Sequence, residues 1–296
     1  MKPSVAIVGC GRVGTTLGYR LRTLGYPVSG ISSRSQESIR RAAVLLETEH
    51  FSLNPWDITR EADAIFITTP DDAIEETCSR IAANGGFPKN ATVFHCSGSQ
   101  PSTILSAATT CGALIGSMHP LQSFAGIETD RNPFEGIIMA VEGDEAAVFL
   151  ATAMAEDLGS RCLSIRTDAK TLYHASAVVA SNYLVTLADF AFQLLEKAGI
   201  SERDAYDVLS PLIMGTLANI RQTGAKPALT GPIARGDTEI IKSHLREIGA
   251  QTPALLSLYR ILGRHTVGIA SFNESISPDI TRELNEMLSL GLEEDG

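Results

Sequence analysis

The chain contains no uninterrupted apolar run of the ~18 to 20 residues that a membrane-spanning helix needs. It also lacks any long block of one charge: 24 Lys and Arg stand against 34 Asp and Glu, a formal net charge of −10 over 296 residues. Nucleic acids and anionic membranes require concentrated positive charge, so neither is expected as the main partner. A local basic spot for a small anion remains compatible with this balance. Cysteine is scarce, and Cys10, Cys78, Cys96, Cys111 and Cys162 are scattered with no C-x-x-C pair. That excludes a disulfide framework or a structural zinc site and fits reduced thiols in a cytoplasm. No H-x-x-x-H or similar ligand spacing occurs, so no metal is expected. No G-x-S-x-G is present either, which argues against a serine hydrolase. The opening "MKPSVAIVGCGR" has a short apolar stretch without a small-residue cleavage site, and reads as a strand rather than a signal peptide.

What is present is an alternation of strand-like and helix-like segments. Residues 4–9, 27–32, 63–69, 91–97, 113–119, 136–141 and 161–165 are near-continuously apolar, as strands buried on both faces of a parallel sheet should be. Helical patterns lie between several of them, at 13–24, 36–46 and 73–83. This order predicts a doubly wound parallel α/β sheet with right-handed crossovers. From about Thr167 onward only helical patterns remain, at 169–198, 202–222, 237–248, 253–270 and 278–290. Thr252-Pro253 and Ser277-Pro278 each look like an N-cap followed by Pro at the first helical position. We therefore expect two domains, an α/β domain over 1–165 and an all-helical one over 166–296. The segment 169–198 is apolar on nearly all sides, so it is expected to be buried in its own domain or against a second subunit.

Gly9-x-Gly11-x-x-Gly14 follows the first strand and opens a helix. Gly9 permits a tight turn, Gly11 lets the backbone approach a pyrophosphate, and Gly14 lets helix and strand pack closely. The free N–H groups of the helix start, at Cys10, Arg12 and Val13, then face the phosphates. About 20 residues on, where NAD enzymes place a carboxylate for the ribose, stands Ser32-Ser33-Arg34. A carboxylate would repel a 2′-phosphate, whereas hydroxyls and a guanidinium bind one, so NADP is the expected cofactor. Thr69 and Pro70, at the carboxyl edge of another strand, are expected to wall the nicotinamide side. Asp71 and Asp72 either belong to that wall or cap the next helix.

Three polar clusters are candidates for chemistry. "HCSGSQ" presents Ser97 at a strand end, with His95 more naturally an in-sheet residue. "SMHPLQSF" presents His119, and the loop "TGPIARGD" carries Arg235. On the long helix, Lys170, His174 and Ser181 fall on one stripe, with Asn182 about a quarter-turn away. Buried polar groups need partners, so these residues either satisfy one another or face a cleft between domains. Histidine is the usual proton donor among side chains, so His174 is the expected one for reduction of C=O or C=N, with Lys170 next. Asn182, Ser97 and His119 complete the catalytic candidates. Ser181 and Arg235 are the substrate-binding ones, Arg235 for a carboxylate.

Taken together, "AIVGCGRVGTTL", "ISSRS", "TTPDDAI", "HCSGS", "SMHPLQSF", "YHASAVVASNYLVTL" and "GPIARGD" resemble the Rossmann-like NADP oxidoreductases that carry a C-terminal helical domain of unknown function. The wider superfamily it resembles includes pyrroline-5-carboxylate reductase, ketopantoate reductase and the β-hydroxyacid dehydrogenases. The resemblance implies an N-terminal NADP-binding Rossmann domain, with cofactor roles for Gly9, Gly11, Gly14, Ser33 and Arg34. It also implies an all-helical C-terminal domain that forms a homodimer, and substrate near the long helix. Two departures stand out. The "SGSGPAY"-like segment of the pyrroline-5-carboxylate reductases is missing, and the Lys-x-x-x-Asn pair of the β-hydroxyacid dehydrogenases is matched only by Lys170-x-x-x-His174. The expected activity is hydride transfer between NADP(H) and a small oxo acid or imine. A non-catalytic NADP-binding sensor is the alternative, and a lyase or transferase reusing the fold is a third reading.

Overall fold

A computed structural model describes residues 1–127 and 129–289. The first half contains β1 (Val5–Val8), α1 (Arg12–Thr23), β2 (Val28–Ser32), α2 (Gln36–Leu45), β3 (Phe51–Ser52), α3 (Trp56–Thr59), β4 (Ala64–Ile67) and α4 (Ile74–Ala83). It continues through β5 (Thr92–His95), α5 (Ser106–Thr109), β6 (Leu114–Pro120), β7 (Ile138–Gly143), α6 (Glu145–Asp157) and β8 (Arg161–Ser164). The eight strands form one sheet in the order β3-β2-β1-β4-β5-β6-β7-β8.

The central strands are apolar on both faces because both faces are covered. Phe66, Phe94 and Met118 enter one core cluster, while their neighbours Ile65, Val93 and Ile115 enter the other. The Phe66 and Phe94 rings stack with centroids 5.1 Å apart. The sheet departs from the expected all-parallel order at one place: β7 runs antiparallel to β6, and β8 is parallel to β7. The physical reason is the connection 121–137, which has no helix among its described residues. A parallel return requires a crossover segment, usually helical.

Register aligns the carboxyl ends. Ser32 pairs with Val8, Val8 with Ile67, Ile67 with His95 and His95 with Ser117. The loops leaving β1, β2, β4 and β5 therefore emerge side by side, with the last residues of β6 beside them. Strand order reverses between β1 and β4, which makes the crevice outside these two strands the topological switch point.

The helical part holds α7 (Lys170–Lys197), α8 (Glu202–Thr223), α9 (Pro232–Arg235), α10 (Thr238–Gln251), α11 (Leu256–Phe272) and α12 (Pro278–Ser289). Contacts divide the chain into Met1–Ala180 and a second unit from Ser181, so the first turns of α7 fall in the unit that holds the sheet. The second unit has its own core of Ile241, Val267, Leu284 and Leu288. Ser277 caps α12, accepting from the Ile280 N–H at 3.3 Å. Thr252 does not cap its helix: its hydroxyl turns back to the Ile248 carbonyl at 3.4 Å.

The expected burial of α7 does not hold within the chain. Only 6% of its most apolar window is buried, and Val185 is 70% exposed. By length and composition alone the helix could cross a membrane. On α8, Leu212 is 69% and Met214 62% exposed. Apolar periodicity reports what a helix offers for burial, not whether its own chain covers it.

Candidate active site

The glycine turn is built as its spacing requires, and the three glycines have different reasons to be there. Gly9 has φ +117°, and a Cβ on it would lie 2.7 Å from the Thr68 carbonyl. A Cβ on Gly14 would collide with Gly9 O and Thr68 Oγ1. The Thr68 hydroxyl ties the two loops together by donating to Gly9 O at 2.7 Å. Gly11 is the exception, since a Cβ there meets no protein atom within 4 Å. It is the N-cap of α1, with no side-chain cap and no acidic residue in the first turn. That leaves an open, electropositive helix start.

Beside it is a cavity of about 280 Å³ at the switch point. Gly9, Cys10, Gly11, Ser32, Ser33, Arg34, Thr69 and Pro70 all line it. Arg12, Val13 and Gly14 do not: Gly14 is a packing residue, and the Arg12 guanidinium reaches Phe124 O at 3.4 Å. The Thr69 hydroxyl is buried with no hydrogen-bond partner among the described residues, as expected of a group that awaits a ligand. An open glycine, an orphaned hydroxyl and a guanidinium beside two serines fit a phosphorylated dinucleotide. Sequence reasoning missed the α4 wall of this cavity, which includes Glu76 and Arg80.

Next along the row of strand ends lies a polar cluster. Ser97 is buried, and its hydroxyl donates to Asp71 Oδ2 at 2.7 Å while accepting from the Ser99 and Gln100 N–H groups at 3.2 and 3.1 Å. Its hydrogen-bonding capacity is committed, so it shapes the loop rather than offering a free proton. Ser99 also donates to Asp71 Oδ2, at 2.8 Å. Asp71 therefore does not cap the helix after it; it clasps the loop after β5 to the one after β4. His95 lies within its strand, fully buried, with Nδ1 accepting from the Ser97 N–H at 3.1 Å. Burial pushes its pKa down to about 3.

His119 stands at the end of β6, with Nδ1 3.0 Å from the Tyr173 hydroxyl of α7. His174 is the next residue, and its ring centroid is 6.4 Å from that of His119. Gly98 makes room for both: a Cβ there would lie 2.6 Å from His174 Cδ2 and 2.8 Å from His119 Nε2. Burial, with the Lys170 charge nearby, lowers the pKa of His119 to about 4, so it is neutral at physiological pH. Burial also raises the pKa of Tyr173, which keeps it a phenol. Tyr173 was not singled out by sequence, although its place one residue before His174 was a usable signal.

Lys170 is buried and held by partners. It is 1% exposed, donates to Ser117 Oγ and lies 3.6 Å from Glu142 Oε1. Glu142 also accepts from the Ser102 N–H and hydroxyl and from Thr167, at 2.7 to 2.8 Å. Burial lowers the ammonium pKa and Glu142 opposes that shift. This closed network pins the start of α7 to the sheet. Ser181, Asn182 and Arg235 belong to the second unit, where the first two are exposed and Arg235 pairs with Asp237 at 2.9 Å.

Comparison with known proteins places these elements. Residues 1–120 match the Rossmann-like domain family, and residues 137–266 match the domain of unknown function DUF2520. The chain carries a Rossmann-like domain followed by a DUF2520 domain. The cluster draws on both, with Asp71, Ser97 and His119 from the Rossmann-like match and Glu142, Lys170, Tyr173 and His174 from DUF2520. No curated protein matches the chain. Among solved structures, a Bacteroides fragilis protein with the provisional name NADP oxidoreductase is 25% identical, with a TM-score of 0.73 over 91% of this chain and 98% of that one. A Thermotoga maritima protein is 26% identical, with a TM-score of 0.70 over 91% and 99%. A Pseudomonas imine reductase is 20% identical and shares the fold, with a TM-score of 0.63 over 94% and 100%. The fold is thus one used by NAD(P)-dependent reductases and dehydrogenases, and it has been solved with NAD+ and with NADP bound.

Proposed function

We propose that this protein is an NADP-dependent oxidoreductase acting on the C=O or C=N carbon of a small oxo acid or imine. One observation carries the reading: the dinucleotide cavity and the His119–Tyr173–His174 cluster open from neighbouring strand ends of the same sheet edge. When bound, the cofactor supplies the hydride. The chain supplies everything else. The start of α1 and Gly11 receive the pyrophosphate, Ser33 and Arg34 the 2′-phosphate, and Thr69 and Pro70 border the nicotinamide half.

Proton exchange falls to the imidazoles, because Ser97 and Lys170 are committed. In the tautomer this role requires, Tyr173 donates to His119 Nδ1 and the ring hydrogen is on Nε2, the atom on the Gly98 side, where His174 also converges. From that gap the neutral His119 imidazole donates its Nε2 proton to the developing alkoxide or amine, the Tyr173 hydroxyl passes its proton to Nδ1, and the phenol is re-protonated from solvent. Asp71 holds the Ser97 loop in register with Thr69 and Pro70, and the Glu142–Lys170 network fixes the turn of α7 that carries Tyr173 and His174.

Substitutions separate the two halves. Arg34→Ala should weaken NADPH binding by ~10-fold or more, the worth of a charge-assisted hydrogen bond, and leave NADH binding within about twofold. His119→Ala or His174→Ala should leave NADPH affinity intact, with turnover lower by ~10²-fold in the variant that removes the donor. Equal loss of NADPH and NADH in the first case, or full turnover in both histidine variants, overturns the reading.

The same reading includes a homodimer. Residues 171–188 contain no Asp, Glu, Lys or Arg, and the side chains of α7 and α8 leave Tyr183, Val185, Tyr206 and Leu212 more than half exposed. A second copy presenting the same faces covers them. A bilayer is the less fitting cover, because α8 carries Arg203, Asp204, Asp207 and Arg221 beside its apolar residues.

A further inference from the structure

The cofactor cavity contains a second guanidinium that the strand-end motif does not account for. Arg80 lies two turns along α4. With Ala73, Glu76 and Thr77 it lines the cavity that Ser33 and Arg34 also line. Positions 73, 76, 77 and 80 have the i, i+3, i+4, i+7 spacing of a single helix face, so this wall is one element turned toward one space. The Arg80 guanidinium carbon sits 5.8 Å from the centroid of the Trp56 ring, a contact that orients it.

Arg22, Arg41, Arg166, Arg235, Arg246 and Arg282 each pair with a carboxylate. Arg34 and Arg80 pair with none among the described residues, including Glu76 on the same face as Arg80. Several other arginines, among them Arg40, Arg60, Arg161 and Arg203, also make no ion pair among the described residues, so it is their place on one cavity that sets Arg34 and Arg80 apart. In a chain of net charge −10, two arginines without carboxylate partners line one cavity. A phosphate monoester carries about −1.5 to −2 at neutral pH, more than a single guanidinium neutralises. Each arginine brings a planar fork matched to phosphate oxygens.

We propose that Arg80 is the second half of the 2′-phosphate site, so that preference for NADP over NAD is divided between the end of β2 and the face of α4. The inference rests on the NADP reading above. It assigns Arg80 a binding and specificity role with no part in the chemistry.

The test is a set of equilibrium titrations with wild type, Arg34→Ala, Arg80→Ala and Arg80→Lys. Each is titrated with NADPH, NADH and the fragments adenosine 2′-monophosphate and adenosine 5′-monophosphate. Arg80 is exposed, so its variants should melt with the wild type. Arg80→Ala is expected to lose ~10-fold or more in affinity for NADPH and the 2′-monophosphate, with NADH and the 5′-monophosphate within about twofold; Arg80→Lys should recover part of the loss. If wild type prefers NADPH and Arg34→Ala removes the preference while Arg80→Ala does not, the Arg80 assignment fails alone. Equal loss of NADPH and NADH in Arg80→Ala also overturns it, since it points to contact with the adenine or to a structural role. If wild type shows no preference for NADPH, the NADP reading fails and the inference with it.

Discussion

Gly11→Ala should separate cofactor binding from folding within a single motif. The added methyl meets no protein atom within 4 Å, and Gly11 has φ −81°, ψ −169°, which alanine adopts freely. Alanine is a poorer N-cap than glycine by a few tenths to about 1 kcal/mol. Glycine-to-alanine replacement returns roughly 0.4 to 1 kcal/mol by restricting the unfolded chain. The two nearly cancel, so the melting temperature should move by only about 2 °C. NADPH affinity should nevertheless fall by ~10-fold or more, because the methyl occupies the space through which a pyrophosphate reaches the N–H groups of α1. Gly9→Ala should behave in the opposite way. Its φ of +117° and the 2.7 Å approach to the Thr68 carbonyl set backbone against backbone, which cannot relax. A cost of roughly 2 to 6 kcal/mol follows from adding backbone strain to overpacking. Gly14→Ala should resemble Gly9→Ala, since its methyl would strike Gly9 O. Thermal melts paired with NADPH titrations read both effects. The reasoning is refuted if Gly11→Ala binds NADPH within twofold of wild type, or if it melts as early as Gly9→Ala.

Two other outcomes follow from the structure. His95 and His119 have folded pKa values of about 3 and about 4, below the ordinary 6.5, so the unfolded chain binds protons first as pH falls. Stability should be intact above pH 6.5 and decline from there toward pH 4, by roughly 3 kcal/mol per histidine. Imidazole NMR signals that remain those of the neutral form at pH 5.5 support this, and protonation of both rings by pH 6 contradicts it. For the exposed faces of α7 and α8, light scattering should give twice the chain mass, and Val185→Glu with Leu212→Glu should return it to that of one chain. A monomeric wild type, or wild type that partitions onto lipid vesicles, contradicts the homodimer.

The α/β half was legible because its signals are local. β1, the glycine turn and the serine–arginine end of β2 occupy one βαβ unit, and Gly9 and Gly14 have steric reasons that a motif can encode. The antiparallel turn at β7 was not legible, because its cause is the lack of a helix in a polar connection and seven near-continuous apolar runs look alike in either direction. Lys170 and Ser97 illustrate a second limit. Sequence shows that they are polar and well placed, but only the fold shows that Glu142, Ser117 and Asp71 have claimed their hydrogen bonds. Arg80 and Tyr173 show the converse. Arg80 is 46 positions from Arg34, a separation at which residue type and spacing do not show that both line one cavity, and Tyr173 is 54 from His119, reachable only through its neighbour His174. For α7, the apolar circumference was legible while its covering was not, since that belongs to whatever packs on the helix.

The most direct test of the account is whether the protein consumes NADPH. Purified protein with NADPH and a panel of 2-oxo acids and cyclic imines, followed by loss of reduced-cofactor absorbance, should show turnover on at least one substrate class. That turnover should exceed the rate with NADH and be lost in His119→Ala or His174→Ala. Tight NADPH binding with no oxidation across the panel contradicts an oxidoreductase and favours a protein that binds NADP without using it.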